Sequence, residues 1–250
     1  IPEAGPFGGA TRMATILQRE RMRAERVVHL DSGDSFQGAP IFNLNLGEAE
    51  YKFLSMVGTD AAVIGNHEFD MGAANFTKQT RDAAGFPVRA ANYFWEDPNQ
   101  PGSNGSVFYT SPYTIKNVGG LRVGIIGVAN ISSMNSLVEQ GNSIQAIPLE
   151  QNEIVRNYVE FLRPAVDLIL AVSHAGLVED QDLIDSYEAY YEWSLAERFV
   201  DRPNTPWKVI EWFGPEREPT SVVRVAIPGV SGIDAILGGH LHIVLNPPQV

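Results

Sequence analysis

Four stretches of this 250-residue sequence place metal-binding side-chain types directly after short apolar runs: LDSGD at 30–34, VIGNHEFD at 63–70, LAVSHAG at 170–176 and ILGGHLH at 236–242. Only five histidines occur in the chain, and four of them, His67, His174, His240 and His242, lie in these stretches. A single histidine beside a strand is more often structural than a ligand. Four together, with Asp34 and Asn66 in equivalent places, change that balance. Asp34 offers two oxygens that could bridge two cations, Asn66 an amide oxygen, and His174, His240 and His242 ring nitrogens. Mixed O and N donors suit Mn, Zn, Fe, Co or Ni better than Ca or Mg, which favour all-oxygen shells. The i, i+2 spacing of His240 and His242, if extended, points both rings to one side, where two neighbouring metals could each take one. The glycines before them let backbone approach closely. The chemistry such a set supports is hydrolysis by water activated between two cations.

Side chains more than 200 residues apart can meet only if the elements before them are strands of common direction. Buried strands are expected in the first half of RVVHLDSGD from Arg26, in AAVI before Gly65, in RVGIIGVAN from Arg122, in VDLILAVSHAG from Val166 and in IDAILGGHLH from Ile233. Helices are expected over Thr11–Arg26, Glu48–Gly58, Ala73–Ala84 and Leu149–Leu162, alternating with the strands. That alternation predicts an α/β fold with helices covering a largely buried sheet. In open α/β sheets ligands gather outside the carboxyl ends of the strands, so the four stretches are expected to converge there. NQPGSNGSV at 99–107 reads as a loop from its Gly, Pro, Asn and Ser content.

Composition narrows the classes. A formal charge of −12 argues against a surface built to neutralise a nucleic-acid polymer, while a small anionic substrate stays compatible because bound cations reverse the local field. The chain has no cysteine, which excludes disulfides, thiolate metal sites and thiol catalysis. The glycine-rich FGGATR lacks the GxxxxGK[ST] pattern of a P-loop. No stretch reads as a bilayer span, and IPEAGPFGGATR resembles neither a signal peptide nor its remnant, so the natural chain is expected to begin upstream.

GDSFQG, GNHEFD, SHAG and GGHLH, in this order, resemble the calcineurin-like metallophosphoesterases, and specifically their 5'-nucleotidase and UDP-sugar hydrolase branch. The resemblance runs from Gly8 to about His242. It implies a sandwich of two mixed β-sheets flanked by helices, with the site at the carboxyl ends of the strands. It further implies that Asp34 bridges two divalent metal ions, that Asn66, His174 and His240 complete the shell of one, and that His242 binds the other. His67 then contacts the phosphoryl or leaving-group oxygen, held and charged by Asp70. Glu68 is read as a structural residue whose hydrogen bonds fix the loop, and His29, inside a strand, as structural also. The implied activity is release of phosphate from nucleoside monophosphates as a 5'-nucleotidase. The alternatives are 2',3'-cyclic nucleotide phosphodiesterase, UDP-sugar hydrolase, or an inactive scaffold. Relatives of this branch act outside the cytoplasm, in the periplasm or at the cell surface, and that location is the expectation here.

The sequence departs from the pattern in three places. The family's first motif, D-x-H, occurs nowhere in the 250 residues, so the chain is expected to start just after it, as a catalytic domain over 1–250 that is incomplete at its N-terminus. The C-terminal domain that holds the nucleoside is expected to lie outside the chain. Between His174 and His240 an aromatic-rich insertion occupies about 180–230. A helix is expected over Asp182–Val200, striped by Tyr187, Tyr190, Tyr191 and Trp193 and ended by Pro203 and Pro206. The insertion reads either as a segment that packs its own aromatics onto the domain or as a lid or surface for a protein partner. ANISSMNSLVEQGN at 129–142 reads equally as a substrate-facing loop or an ordinary connection.

Overall fold

The computed structural model describes residues 8–38, 40–97, 100–104, 110–131, 146–192 and 222–243. Two four-stranded sheets carry the architecture. The first is parallel throughout and comprises β1 (Leu30–Asp31), β2 (Ala61–Val63), β3 (Val88–Arg89) and β6 (Thr110–Ser111), in that order. The second runs β13 (Ala235–Leu237), β10 (Leu168–Ser173), β8 (Leu121–Val128), β7 (Tyr113–Val118). It is mixed, because β7 pairs antiparallel with β8 while the other three are parallel. The expected strands before Asp34, Gly65, Asn130, His174 and Gly238 are therefore all present, but not all are buried as expected: β13 is an edge strand with Ala235 and Leu237 exposed, and β1 is half-buried. β2 reads as an unbroken apolar run because it is buried along its whole length, the usual condition of a parallel strand covered on both faces.

Period-2 alternation explains how the sheets stack. On β8, Val123 and Ile125 join the core shared with the first sheet, with Val63 and Phe86, whereas Ile126 and Val128 point the other way. Those two meet α5 (Gln151–Leu162), which buries Ile154, Val155, Val159 and Leu162 against the second sheet. The first sheet packs on α3 (Glu48–Met56) and α4 (Gly72–Asp82) through Tyr51, Leu54 and Phe76. The order of layers is thus helix, sheet, sheet, helix. α5 begins where its sequence predicts, with the Glu150 carboxylate accepting from the N–H groups of Asn152 and Glu153. α1 (Ala10–Arg23) buries none of its residues and is tied down by Arg21, whose guanidinium donates to the carbonyls of Val57 and Gly58. The short α2 (Pro40–Asn45), which had no expected counterpart, buries only Phe42.

Two expectations are corrected. Of the segment expected as one helix over Asp182–Val200, the described residues 182–192 are the end of α6 (Leu177–Ile184) followed by β11 (Tyr187–Glu192). β11 pairs antiparallel with β12 (Val222–Ile227), in the register Tyr187 opposite Ile227. Tyrosines fit a pleated surface as readily as a helix, and VVRVAI supplies a β-branched partner that the local spacing does not reveal. Trp193, Pro203 and Pro206 lie outside the described residues. The Gly/Pro/Asn-rich stretch expected as a loop includes β5 (Gln100–Asn104), which makes a hairpin with β4 (Tyr93–Asp97). β4 pairs on its other edge with β9 (Ala146–Pro148). Of the polar segment at 129–142, residues 132–142 fall outside the described residues.

Candidate active site

Each chemistry-bearing side chain sits just past the carboxyl end of a parallel strand: Asp34 after β1, Asn66 and His67 after β2, His174 after β10, His240 after β13. The first three belong to one sheet and the last two to the other. The sheets bring them together. His174 Nε2 lies 2.9 Å from Asp34 Oδ2 and 3.2 Å from Asn66 Oδ1. Ligand atoms of Asp34, His174 and His240 all lie within 4.8 Å of one another, and the rings of His174 and His240 meet edge to face with centroids 5.1 Å apart.

The donor set fits a divalent cation on its own geometry. His174 Nδ1 donates to the Ser32 carbonyl at 2.5 Å, which fixes the tautomer and leaves Nε2 as the nitrogen aimed at Asp34 and Asn66. Ser32 also joins the two sheets, since its hydroxyl donates to the Leu237 carbonyl at 3.2 Å. A Cβ at Gly239 would stand 2.9 Å from Ser32 Cβ and 3.2 Å from His174 Nδ1, so the close backbone approach expected of these glycines is present. Burial acts to raise the Asp34 carboxyl, but the hydrogen bond and charge of His174 outweigh it and hold the group below its ordinary range. For His174 burial acts to lower the imidazole, and Asp34 overrides it and raises it. A cation bound between the pair would compete with a proton on His174.

GGHLH is not extended, which corrects one expectation. His240 and His242 have φ of 74° and 54°, and Leu241 N–H donates back to the Gly239 carbonyl. His240 turns toward Asp34 and His174. His242 is exposed and stands outside that group.

The His67 ring pairs with Asp70, its Nδ1 lying 2.9 Å from Asp70 Oδ2; its side chain is 40% exposed and that of Asp70 10%. The His67 backbone N–H donates to Asp34 Oδ1 at 2.8 Å. A 3-10 turn over His67–Phe69 makes the i, i+3 contact of His67 with Asp70 possible. Glu68 turns inward and is fully buried. Its Oε2 accepts from the N–H groups of Gly65 (2.6 Å) and Asp34 (3.0 Å), and its Oε1 from those of Ser35 (2.7 Å) and Phe36 (3.4 Å). Burial, reinforced by the Asp34 charge, pushes this carboxyl up to about 7, against the pull of the backbone donors. His29 lies at the opposite end of β1, where its N–H donates to Asp60, away from the group.

Two contributors had no expectation attached. Ser32 works through a carbonyl that no side-chain pattern announces. Asp180, near the start of α6, accepts from Ser173 Oγ at 2.5 Å, and a Cβ on Gly238 would stand 2.3 Å from its Oδ2, so it packs between the His174 and His240 loops. Burial pushes its carboxyl up to about 6, with Ser173 opposing.

No protein-family profile matches the chain. Among curated proteins, a snake venom 5'-nucleotidase of Gloydius brevicauda is 32% identical over 180 residues, covering 70% of this chain and 29% of that protein. An apyrase of Tabanus yao is 27% identical over 253 residues, covering 95% of this chain and 42% of that one. Among solved structures, a 5'-nucleotidase precursor from Thermus thermophilus superposes with a TM-score of 0.66 at 26% identity, over 93% of this chain and 36% of that one. The calcineurin-like phosphoesterase YfkN of Bacillus subtilis shares the fold, with a TM-score of 0.59 at 22% identity over 96% of this chain and 65% of that one. The chain thus spans about a third of the length of the 5'-nucleotidases it matches.

Proposed function

This chain belongs to the 5'-nucleotidase family of the calcineurin-like phosphoesterases, and on that premise we propose that it carries the metal-holding and catalytic part of a hydrolase that releases phosphate from nucleoside monophosphates. The observation that carries the proposal is the meeting of Asp34, Asn66, His174 and His240 from two sheets, with the His67–Asp70 pair alongside. Asp34, Asn66, His174 and His240 would hold one divalent cation, and a second oxygen of Asp34 with His242 would serve another. When bound, the ions supply Lewis acidity toward phosphoryl oxygens and a water made nucleophilic near neutral pH. Mn, Zn, Fe, Co and Ni all suit these donors.

The chain's own groups supply the rest. Asp70 accepts from His67 Nδ1 and fixes the plane of the ring. As imidazolium, His67 donates its Nε2 proton to the departing ester oxygen, so that the alcohol leaves neutral. No covalent bond to the protein is required. An extracytoplasmic setting is proposed in line with the venom relatives. Hydrolysis by the native full-length protein of AMP and UMP (read as phosphate), of UDP-glucose (read as UMP and glucose 1-phosphate) and of 2',3'-cyclic AMP (read as the ring-opened AMP), with and without Mn(II), tests the reading. Metal-dependent release from AMP that His67→Ala lowers by about 10²- to 10⁴-fold supports it. Preference for one of the other substrates moves the assignment within the family, and failure to hydrolyse any of them refutes it.

A further inference from the structure

Among the described residues, Glu68 is the one fully buried carboxylate next to the proposed centre that neither binds a cation nor touches a substrate in the reading above. Its bonds go to two different loops. Gly65 belongs to its own loop after β2, but Asp34, Ser35 and Phe36 belong to the loop after the neighbouring strand β1. The second loop returns the bond, because Asp34 Oδ1 accepts from the His67 N–H. Each loop therefore lends a carboxylate to the backbone of the other, and the result is a reciprocal clasp. The clasp is needed where it stands. Asp34 has a left-handed φ of 57°, a conformation that a residue with a Cβ adopts at a cost, and the N–H of that same residue is held by Glu68. Three consecutive N–H groups from a turn, Asp34 to Phe36, point at one carboxylate, as backbone does around a bound anion.

We infer that Glu68 is a positioning residue that sets cation affinity: it holds Asp34 in its left-handed pose against the Asn66–His67 loop, so that the cation ligands and the His67 backbone move as one unit. This rests on the proposed reading of Asp34 and Asn66 as ligands. A purely structural buried carboxylate predicts a loss of stability alone. A positioning one predicts weaker binding beyond what stability explains.

The test measures Mn(II) binding by calorimetry in the full-length protein for wild type, Glu68→Gln and Val159→Ala. Val159 lies on the buried face of α5 and makes a stability control far from the clasp in sequence. In Glu68→Gln one of the two acceptor oxygens becomes an NH2 facing N–H donors. The expected result is Mn(II) binding about 10- to 100-fold weaker in Glu68→Gln, wild-type affinity in Val159→Ala despite a lower Tm, and an altered Co(II) absorption spectrum only in the former. Glu68→Asp keeps the charge and withdraws the oxygens by one methylene; it gives the same comparison should the amide variant not fold. Wild-type affinity and an unchanged Co(II) spectrum in the Glu68 variants overturn the inference. A wild type that binds no Mn(II) overturns the reading on which it rests, a separate result.

Discussion

Gly65→Ala puts the geometry of the clasp under direct strain. A Cβ at residue 65 would lie 2.3 Å from Asp34 Oδ1, 2.5 Å from the Asp34 nitrogen and 2.8 Å from Glu68 Oε2. Non-bonded atoms do not come within about 3.0 Å of a Cβ, so the Asp34 backbone must retreat by about 0.5 Å and its carboxylate by about 0.7 Å. Overpacking of this kind costs about 1–3 kcal/mol of stability. The functional cost is of similar size, because a misplacement of about 1 Å at a reacting centre can lower the rate about 100-fold, equivalent to about 2.7 kcal/mol. The expected outcome is a loss of about 10- to 100-fold in Mn(II) affinity, in kcat/KM, or in both. Gly124→Ala is the matched control: its Cβ would meet Val166 at 3.4 Å, an ordinary contact, so stability should change by less than about 1 kcal/mol and activity not at all. Calorimetric metal titration, thermal unfolding and a phosphate-release assay on both variants decide the matter. Unchanged Mn(II) affinity and turnover in Gly65→Ala would refute the reasoning.

Asp70→Asn leaves an acceptor beside His67 but removes the charge that orients the ring; kcat should fall by at least about 10-fold while Mn(II) affinity, read by calorimetry, stays at the wild-type value. The His174 imidazole is raised by Asp34, so a cation must displace its proton; Mn(II) affinity should climb with pH until the raised value is passed, with proton release visible as a dependence of binding heat on buffer ionisation enthalpy. Asp180 is pushed up to about 6, so as a carboxylate it costs stability above that pH and nothing below its unfolded value of about 4; Asp180→Asn should therefore raise the Tm of the cation-free protein at pH 8, by the equivalent of about 1–3 kcal/mol, and leave it unchanged near pH 3.5. Asp60→Ala removes the buried acceptor of the His29 N–H and the partner of the half-exposed Lys116, so denaturant unfolding should show a loss of about 1–3 kcal/mol with metal binding intact.

The strands were legible because each is a short apolar run, largely buried in β2, β8 and β10, and the convergence of Asp34, Asn66, His174 and His240 follows from common strand direction. The His67–Asp70 contact was expected from the family resemblance, and the 3-10 turn over His67–Phe69 gives its i, i+3 spacing a physical basis. What was hidden rests on backbone rather than side-chain type. The Ser32 carbonyl that fixes His174 has no signature, since any residue offers a carbonyl. The left-handed φ of His240 and His242 replaced the extended geometry expected of them, and the glycines before them marked a close approach without disclosing the turn that follows. Tyr187–Glu192 took a strand because its partner begins 30 residues further on, at Val222, a pairing outside any local window. The number of bonds that Glu68 makes to a neighbouring loop likewise depends on how β1 lies against β2.

The most direct test of the central claim is a crystal structure of the protein soaked in Mn(II), with data collected for anomalous scattering. The account predicts a strong peak about 2.0–2.4 Å from Asp34, from Asn66 Oδ1, from His174 Nε2 and from a ring nitrogen of His240. An empty group of residues at saturating Mn(II), or a peak that leaves His174 paired to Asp34, would contradict it.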